Sequence, residues 1–137
     1  MDIELAKAIY DRFAATSVSS DVAQAGDLTE GIFFGMAPAE KDARMQYVVV
    51  YPISTVPIST FDDDAMTECI VQFSIYSDSR SLTEVGTIRN HLVEAFDRAT
   101  LTYATKSHRG CLRVAETGPI RFEDCWQQTV DYRIHYA

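Results

Sequence analysis

The residues from Trp126 to Tyr136 alternate between apolar and polar side chains, and this pattern limits the possible folds more than any other. The apolar set is Trp126, Val130, Tyr132, Ile134 and Tyr136, and the polar set is Gln127, Thr129, Asp131, Arg133 and His135. Because successive side chains of a strand point to opposite faces, the segment is predicted to be a half-buried antiparallel strand. The fold therefore needs a sheet and a layer that covers one of its faces.

Two helices are predicted to supply that layer. The first begins after Asp2, a suitable N-cap, and runs for about 14 residues with Leu5, Ile9 and Phe13 in one apolar stripe. The second covers residues 82–98. It follows a capping box in which Ser81 accepts a hydrogen bond from the backbone of Glu84 while Glu84 reaches back to the Ser81 N–H.

Several strands are predicted between and after the helices. Gly31–Gly35 is a short apolar segment, and Gln46–Tyr51 has the composition of a strand covered on both faces. Beyond Tyr51, Pro52 and Pro57 cannot donate to a ladder, so the chain must bend, bulge or lie on an edge. Two more strands are expected: Met66–Tyr76, with Thr67, Cys69, Val71, Phe73 and Ile75 on one face, and a segment through Leu112 and Val114 between Gly110 and Gly118-Pro119.

The element order is therefore α-β-β-β-α-β-β. This order predicts an α+β fold, a mostly antiparallel sheet with two helices packed on one face. The chain of 137 residues contains no internal repeat and is expected to form a single domain, residues 1–137.

Charge and cysteine content exclude some functions. With 12 Lys and Arg against 20 Asp and Glu, the formal net charge is −8, which opposes binding through phosphates or an anionic membrane. The three cysteines have no zinc-site spacing and favour a reducing compartment. Acidic residues occupy the N-terminus where a signal peptide needs positive charge, and no apolar run is long enough to span a bilayer. We expect an intracellular protein without a membrane segment.

Catalytic and cofactor motifs are absent from the sequence. The six glycines fit neither GxGxxG nor GxxxxGK[ST], and neither GxSxG nor HExxH occurs. Asp62-Asp63-Asp64 offers oxygen ligands for Ca²⁺ or Mg²⁺ but lacks EF-hand spacing, so a solvated turn is the favoured interpretation. His108 is assigned to a loop, where it would need Glu123 or Asp124 nearby to act in catalysis. No catalytic residue, cofactor or metal ligand is predicted.

Contact surfaces are the remaining candidates. Phe33, Phe34 and the outer faces of Val48 to Tyr51 supply apolar surface that is either a protein contact or part of a well-covered core. The residues chosen for subunit or partner contact are Phe33, Phe34, Met36, Pro38 and Arg44, with the loop Ala37–Arg44, and in second place Asp62, Asp63 and Asp64.

The order of these segments resembles the tail completion, or tail terminator, proteins of long-tailed bacteriophages and prophages. The resemblance is carried by Gly31–Pro38, by Tyr47-Val-Val-Val50 with its continuation through Pro57, and by Ile70–Tyr76 before a capped helix. It covers roughly residues 1–100. The chain departs from the family pattern in having Gln46 instead of proline before Tyr47, and aspartates where the family has a glycine-containing turn.

The resemblance implies a structural virion protein, assembled in the host cytoplasm. Such proteins form a ring, typically of six subunits, that ends polymerisation of the tail tube and joins the tail to the head connector. The ring would contact tail tube protein on one side and a connector or neck protein on the other, with DNA passing through the lumen. Six copies would carry a net charge of about −48, and an acidic lumen would repel the DNA.

Three alternatives remain open. A head-side neck protein, adaptor or stopper, would share the acidic ring but contact the portal. A small oligomeric ligand-binding or regulatory module would need a pocket with convergent polar groups. An enzyme would depend on His108.

Overall fold

In the computed structural model, backbone pairing among the described residues forms a five-stranded sheet. The structure describes residues 1–19, 31–35, 46–58, 66–78, 81–122 and 125–137. Among these residues the strands are β1 (Ile32–Phe34), β2 (Gln46–Ile58), β3 (Met66–Ser77), β4 (His108–Phe122) and β5 (Cys125–Tyr136), and the longer helices are α1 (Ile3–Ala14) and α2 (Leu82–Phe96). The observed order is the predicted α-β-β-β-α-β-β.

The spatial order of the strands is β1-β2-β3-β5-β4. Strands β2, β3, β5 and β4 are antiparallel to their neighbours, whereas β1 pairs with β2 in parallel. The sheet is therefore mixed, with one parallel pair at its edge. β1 spans only Val48 to Val50 of its neighbour, so the rest of β2 extends beyond it.

Both helices pack on the same face of the sheet, which we call the inner face; the opposite face is the outer face. The stripe Leu5, Ile9 and Phe13 of α1 is buried, and α2 buries Val85, Ile88, Leu92, Ala95 and Phe96. These side chains join one core with the predicted inward residues of β3 and β5. Phe73 lies at its centre, with its ring centroid 4.8 Å from that of Phe96 and 5.7 Å from that of Tyr132.

The helix starts agree with the sequence, but one cap has different partners. The Asp2 side chain caps α1 by accepting from the Glu4 N–H. Ser81 caps α2 by accepting from the Thr83 N–H, while the carboxylate of Glu84 accepts a hydrogen bond from Ser77 at the end of β3. Helix α2 ends at Phe96, two residues earlier than predicted, because Asp97 takes an extended conformation and Arg98 a positive φ of 54°.

Strand β4 differs most from the prediction. The sequence predicts a strand only between Gly110 and Gly118-Pro119 and places His108 in a loop, but β4 begins at His108 and passes through both glycine positions. Irregular register between His108 and Gly110, Arg113 and Ala115, and Thr117 and Ile120 absorbs these residues as bulges. The glycines therefore mark irregularities within a strand and not its ends.

Candidate interaction surfaces

Strand β1 directs its two phenylalanines to opposite faces of the sheet. Phe33 is on the outer face and contacts Tyr47 edge to face, with ring centroids 6.1 Å apart. Phe34 is in register with Val50 and is 37% exposed. It lines a hollow of about 270 Å³ together with Met1, Ala6, Gly35, Val50 and Pro52. We call this the Phe34 hollow.

The other predicted contact residues lie outside the described part of the chain. These are Met36, Pro38 and Arg44, with the loop Ala37–Arg44, and the turn Asp62, Asp63 and Asp64. Their role in subunit or partner contact stays a prediction.

Of the two interpretations left open for Val48 to Tyr51, a protein contact or a well-covered core, burial supports the core for the three valines. Val48, Val49 and Val50 are fully buried, and Tyr51 is half-buried. Val48 and Val50 belong to the core, while Val49 faces outward, in register with Phe33 and next to Tyr47. The central part of β2 is therefore covered on both faces, as its composition indicates.

An aromatic cluster covers this part of the outer face. The rings of Tyr47 and Tyr76 stack with centroids 4.9 Å apart, and Gln127 donates a hydrogen bond to the Tyr76 hydroxyl over 3.1 Å. Burial raises the pKa of both phenols above the usual value, and neighbouring ionisable groups, Tyr51 and Cys125 among them, raise it further. The hydroxyls therefore stay protonated and act as hydrogen-bonding groups at neutral pH.

Strand β4 presents apolar side chains at the opposite edge of the sheet. Every residue from Leu112 to Phe122 is exposed, in a strand that pairs only with β5 among the described residues. Its large apolar residues, Leu112, Val114, Ile120 and Phe122, are 40 to 53% exposed. We call these four residues the β4 strip. A long, exposed, apolar edge strand is a surface that proteins normally protect or use.

A chain of ion pairs ties β4 to helix α2 on the inner face. Arg89 donates to both carboxylate oxygens of Glu116, over 2.7 and 2.8 Å, and Arg113 contacts both Glu116 and Asp97. Asp97 also accepts a 2.7 Å hydrogen bond from the buried Tyr132 hydroxyl. The hydrogen bonds from Arg89 lower the pKa of Glu116, against the effect of desolvation. The exposed strand is thereby held against the helix.

The arrangement does not favour catalysis by His108. Burial lowers its pKa, and its Nδ1 accepts a hydrogen bond from the Leu101 N–H. Glu123 and Asp124 lie outside the described residues, but their neighbours Phe122 and Cys125 pair at one end of the β4–β5 hairpin, whereas His108 pairs with Tyr136 at the other. At about 3.3 Å per residue the ends are roughly 40 Å apart.

Metal-binding and disulfide chemistry are also not observed in the described residues. No group of three or more His, Cys, Asp or Glu side chains is arranged to hold a metal ion there. The three cysteines are free, Cys69 and Cys111 buried and Cys125 partly so. Cys111 pairs with Ile134, far along the hairpin from Cys125, so these two thiols do not meet. No described helix is long and apolar enough to cross a membrane.

Comparison with known proteins gives similarity of fold only. No protein-family model matches the chain. No curated protein matches it either. Among solved structures, a protein in the virion of a native gene transfer agent particle superposes with a TM-score of 0.78 at 14% identity, covering 97% of this chain and 94% of that one. A second protein, whose description names no function, gives a TM-score of 0.57 at 10% identity over 96% and 93% of the two chains.

Proposed function

We propose that the chain is a structural protein of a phage-like virion and that it acts there as a tail terminator. In this role a ring of subunits, six by the family resemblance, ends the tail tube and joins it to the head connector. The observation that carries the proposal is the superposition on the gene transfer agent virion protein, which extends over nearly the whole of both chains. The resemblance of residues 1–100 to tail terminator proteins leads independently to the same class.

The surfaces of the molecule support an assembly role. Apolar side chains are exposed at both edges of the sheet, in the Phe34 hollow and along the β4 strip, and contacts between subunits bury surfaces of this kind. A ring requires a heterologous contact, in which two different surfaces of the same chain meet. Two unlike apolar edges on one sheet satisfy this requirement.

The net charge of −8 supports passage of DNA without binding. Repeated around a ring, it gives an acidic particle that repels a polyanion. DNA would then move through the lumen without the counterion release that drives protein–DNA association.

The test is electron microscopy of particles made by a strain that lacks this gene. We expect tails of uncontrolled length that are not joined to filled heads, because nothing stops the polymerisation of the tube. Tails of normal length that stay detached from heads would instead favour the head-side neck protein. Complete particles with normal tails would overturn both interpretations. Restoring the gene on a plasmid, with a frameshifted copy as control, separates loss of the protein from effects on neighbouring genes.

A further inference from the structure

We propose that residues 98–107, which join α2 to β4, form a strap that acid releases from α1 and from the end of the sheet. The inference goes beyond the proposed function and does not depend on it, because it concerns the fold of a single chain. The two ends of the strap are fixed. The Arg98 N–H donates to the Cys111 carbonyl over 3.1 Å, and Ser107 exchanges two backbone hydrogen bonds with Ala137. Opening therefore concerns the residues between these ends.

Hollows between the strap and α1 show that the two are not closely packed. One hollow of about 200 Å³ lies between Glu4 and Lys7 of α1 and Tyr103 of the strap. A second, of about 190 Å³, lies between Ala8 of α1 and Leu101 of the strap. A closely packed interior has few voids larger than a water molecule. The strap is therefore held to α1 by individual side-chain contacts.

The contact between the strap and β4 depends on a neutral imidazole. The Leu101 N–H donates a hydrogen bond to Nδ1 of His108 over 3.3 Å. A ring nitrogen accepts only while it is unprotonated, so a proton on Nδ1 places two donors against each other and removes the bond. The contacts that oppose opening are then apolar: the Leu101 side chain is buried, and the rings of Tyr103 and Tyr136 lie 5.4 Å apart.

Two carboxylates hold the strap to the start of α1. Glu4 accepts from both the backbone N–H and the hydroxyl of Thr105, over 3.1 and 2.7 Å. Asp2 pairs with Lys106 across 3.6 Å. Protonation weakens both contacts, because a neutral carboxyl is the poorer acceptor and forms no ion pair. Acid therefore acts on these contacts in the same direction as on the imidazole.

Burial of His108 determines the pH at which opening begins. Desolvation lowers its pKa below the ordinary value of 6.5. Between the lowered pKa and about 6.5, the open strap binds more protons than the closed one, so the equilibrium shifts toward the open strap as the pH falls. Above about pH 6.5 the imidazole is neutral in both states, and the contact with Leu101 is fully present.

Other groups on the strap and on β4 either stay neutral in acid or add to the repulsion. Burial raises the pKa of the Tyr103 phenol and of the Cys111 thiol, so both stay neutral. Lys106 and Arg109 lie within four consecutive residues that include His108, and both side chains stay positive in acid. A proton on the imidazole therefore adds a third positive charge beside the strap.

Strand β5 carries two titratable groups at this end of the sheet. Tyr136 pairs with His108, and burial raises the pKa of its phenol, which stays neutral in acid. His135 is on the outer face, where its Nε2 lies 3.6 Å from the Glu68 carboxylate. Its titration acts on the contact between β5 and β3 and not on the strap. His135 is therefore a suitable control for His108.

Hydrogen exchange followed by mass spectrometry measures the opening in the full chain, whatever its oligomeric state. Exchange of residues 98–107 is recorded from about pH 8 to about pH 5 and divided by the rate of an unstructured peptide, which gives a protection factor at each pH. Residues 70–76 in the centre of β3 are the internal reference. His108→Ala removes the acceptor, His108→Asn keeps an acceptor that takes up no proton, and His135→Asn is the matched control.

We expect protection of the wild-type strap to fall below about pH 6.5 by up to about tenfold per pH unit, the limit for uptake of one proton, while the β3 reference stays constant. His135→Asn should follow the wild type. Both His108 variants should lose this pH dependence. The strap of His108→Ala should already be open at neutral pH, whereas His108→Asn should keep it closed in acid.

Three results would overturn the proposal: a wild-type strap that keeps its protection at the lowest pH, a His108→Ala variant that keeps the wild-type pH dependence, or a His135→Asn variant that loses it. Parallel loss of protection in the strap and in β3 would indicate unfolding of the whole chain and would overturn it equally. The particles of the deletion strain have no bearing on this outcome, so the proposed function and the strap are tested separately.

Discussion

At the scale of single residues, the described structure separates Phe33 from Phe34, which the sequence treats as a pair. Alternation along a strand predicts that they point in opposite directions, but not which of them is covered. Phe33 packs on Tyr47, whose position depends on the parallel pairing of β1 with β2. That pairing is a tertiary property, so no local pattern distinguishes the covered ring from the exposed one.

At Gly118 the surrounding backbone leaves no room for a side chain. Its φ is +104°, and an added Cβ would lie 2.8 Å from the Gln127 carbonyl oxygen and 3.2 Å from the Ile120 nitrogen. We expect Gly118→Ala to lower the free energy of unfolding by about 1–3 kcal/mol, measured by urea denaturation.

The matched control is Gly86→Ala in helix α2, where no atom lies within 4 Å of the added Cβ. That change should raise stability by roughly 0.5–1 kcal/mol, because alanine is the better helix former. Equal effects of the two substitutions would show that the conformation of Gly118 is not constrained as described.

The thiol of Cys111 predicts a pH dependence of stability. Desolvation, and then the charge of Asp97, raise its pKa to about 12, while Arg12 acts in the opposite direction. An unfolded thiol has a pKa of about 8.5, so above that pH unfolding releases a proton and stability falls as pH rises. Below about pH 8.5 the thiol of Cys111 is protonated in both the folded and the unfolded chain, so its contribution to the free energy of unfolding is fully present.

The tyrosines and the other cysteines titrate in both the wild type and Cys111→Ala. The difference in pH dependence between the two proteins therefore reports on the Cys111 thiol alone. The gap in unfolding free energy between wild type and variant should narrow by on the order of 1 kcal/mol between pH 8.5 and pH 10. Stability curves that stay parallel over this interval would contradict the assignment.

At the scale of elements, the sequence predicts helices well and strand ends poorly. The stripes of α1 and α2 and their caps at Asp2 and Ser81 are local signals, and the helices start where these signals lie. Strand β4 continues through Gly110 and Gly118 because β5 offers an extended partner along its whole length. A rule that takes glycine as the end of a strand does not predict a bulge, in which the strand continues past the glycine.

The link between Arg89 and Glu116 is an element-scale contact that can be tested alone. The side chains of Arg89 and Glu116 keep 27% and 30% of their surface exposed, and they are joined by two hydrogen bonds. We expect Glu116→Gln to lower stability by about 0.5–1 kcal/mol at low salt and by less at high salt. Because the folded pKa of Glu116 is lowered, this difference should disappear as acid protonates the carboxylate.

Asp11→Asn provides the control for this pair. Asp11 bonds Lys7 over 2.6 Å, but both side chains are mostly exposed, at 72% for Lys7 and 53% for Asp11. Its loss should leave the unfolding midpoint unchanged within error. A larger effect for Asp11→Asn than for Glu116→Gln would contradict the view that β4 is held to the helix by its ion pairs.

At the scale of the whole molecule, the fold class follows from the sequence but the arrangement of the sheet does not. The order α-β-β-β-α-β-β and the inward residues of β3 and β5 are as predicted. The position of β4 at one edge and β1 at the other depends on pairings between distant segments. The net charge of −8 likewise describes the chain as a whole, whereas the topology shows that β4, a strand with three arginines and one glutamate, lies at an edge of the sheet.

The pairing of β3 with β5 has a kinetic consequence. The outer hairpins, β2–β3 and β4–β5, each join segments that follow one another along the chain, whereas Ser77 pairs with Trp126 across the whole of α2 and β4. Closing that long loop costs chain entropy before the core contacts form. We therefore expect each hairpin to form early and their docking to set the folding rate. A newly synthesised chain would complete its sheet only after its last strand has left the ribosome.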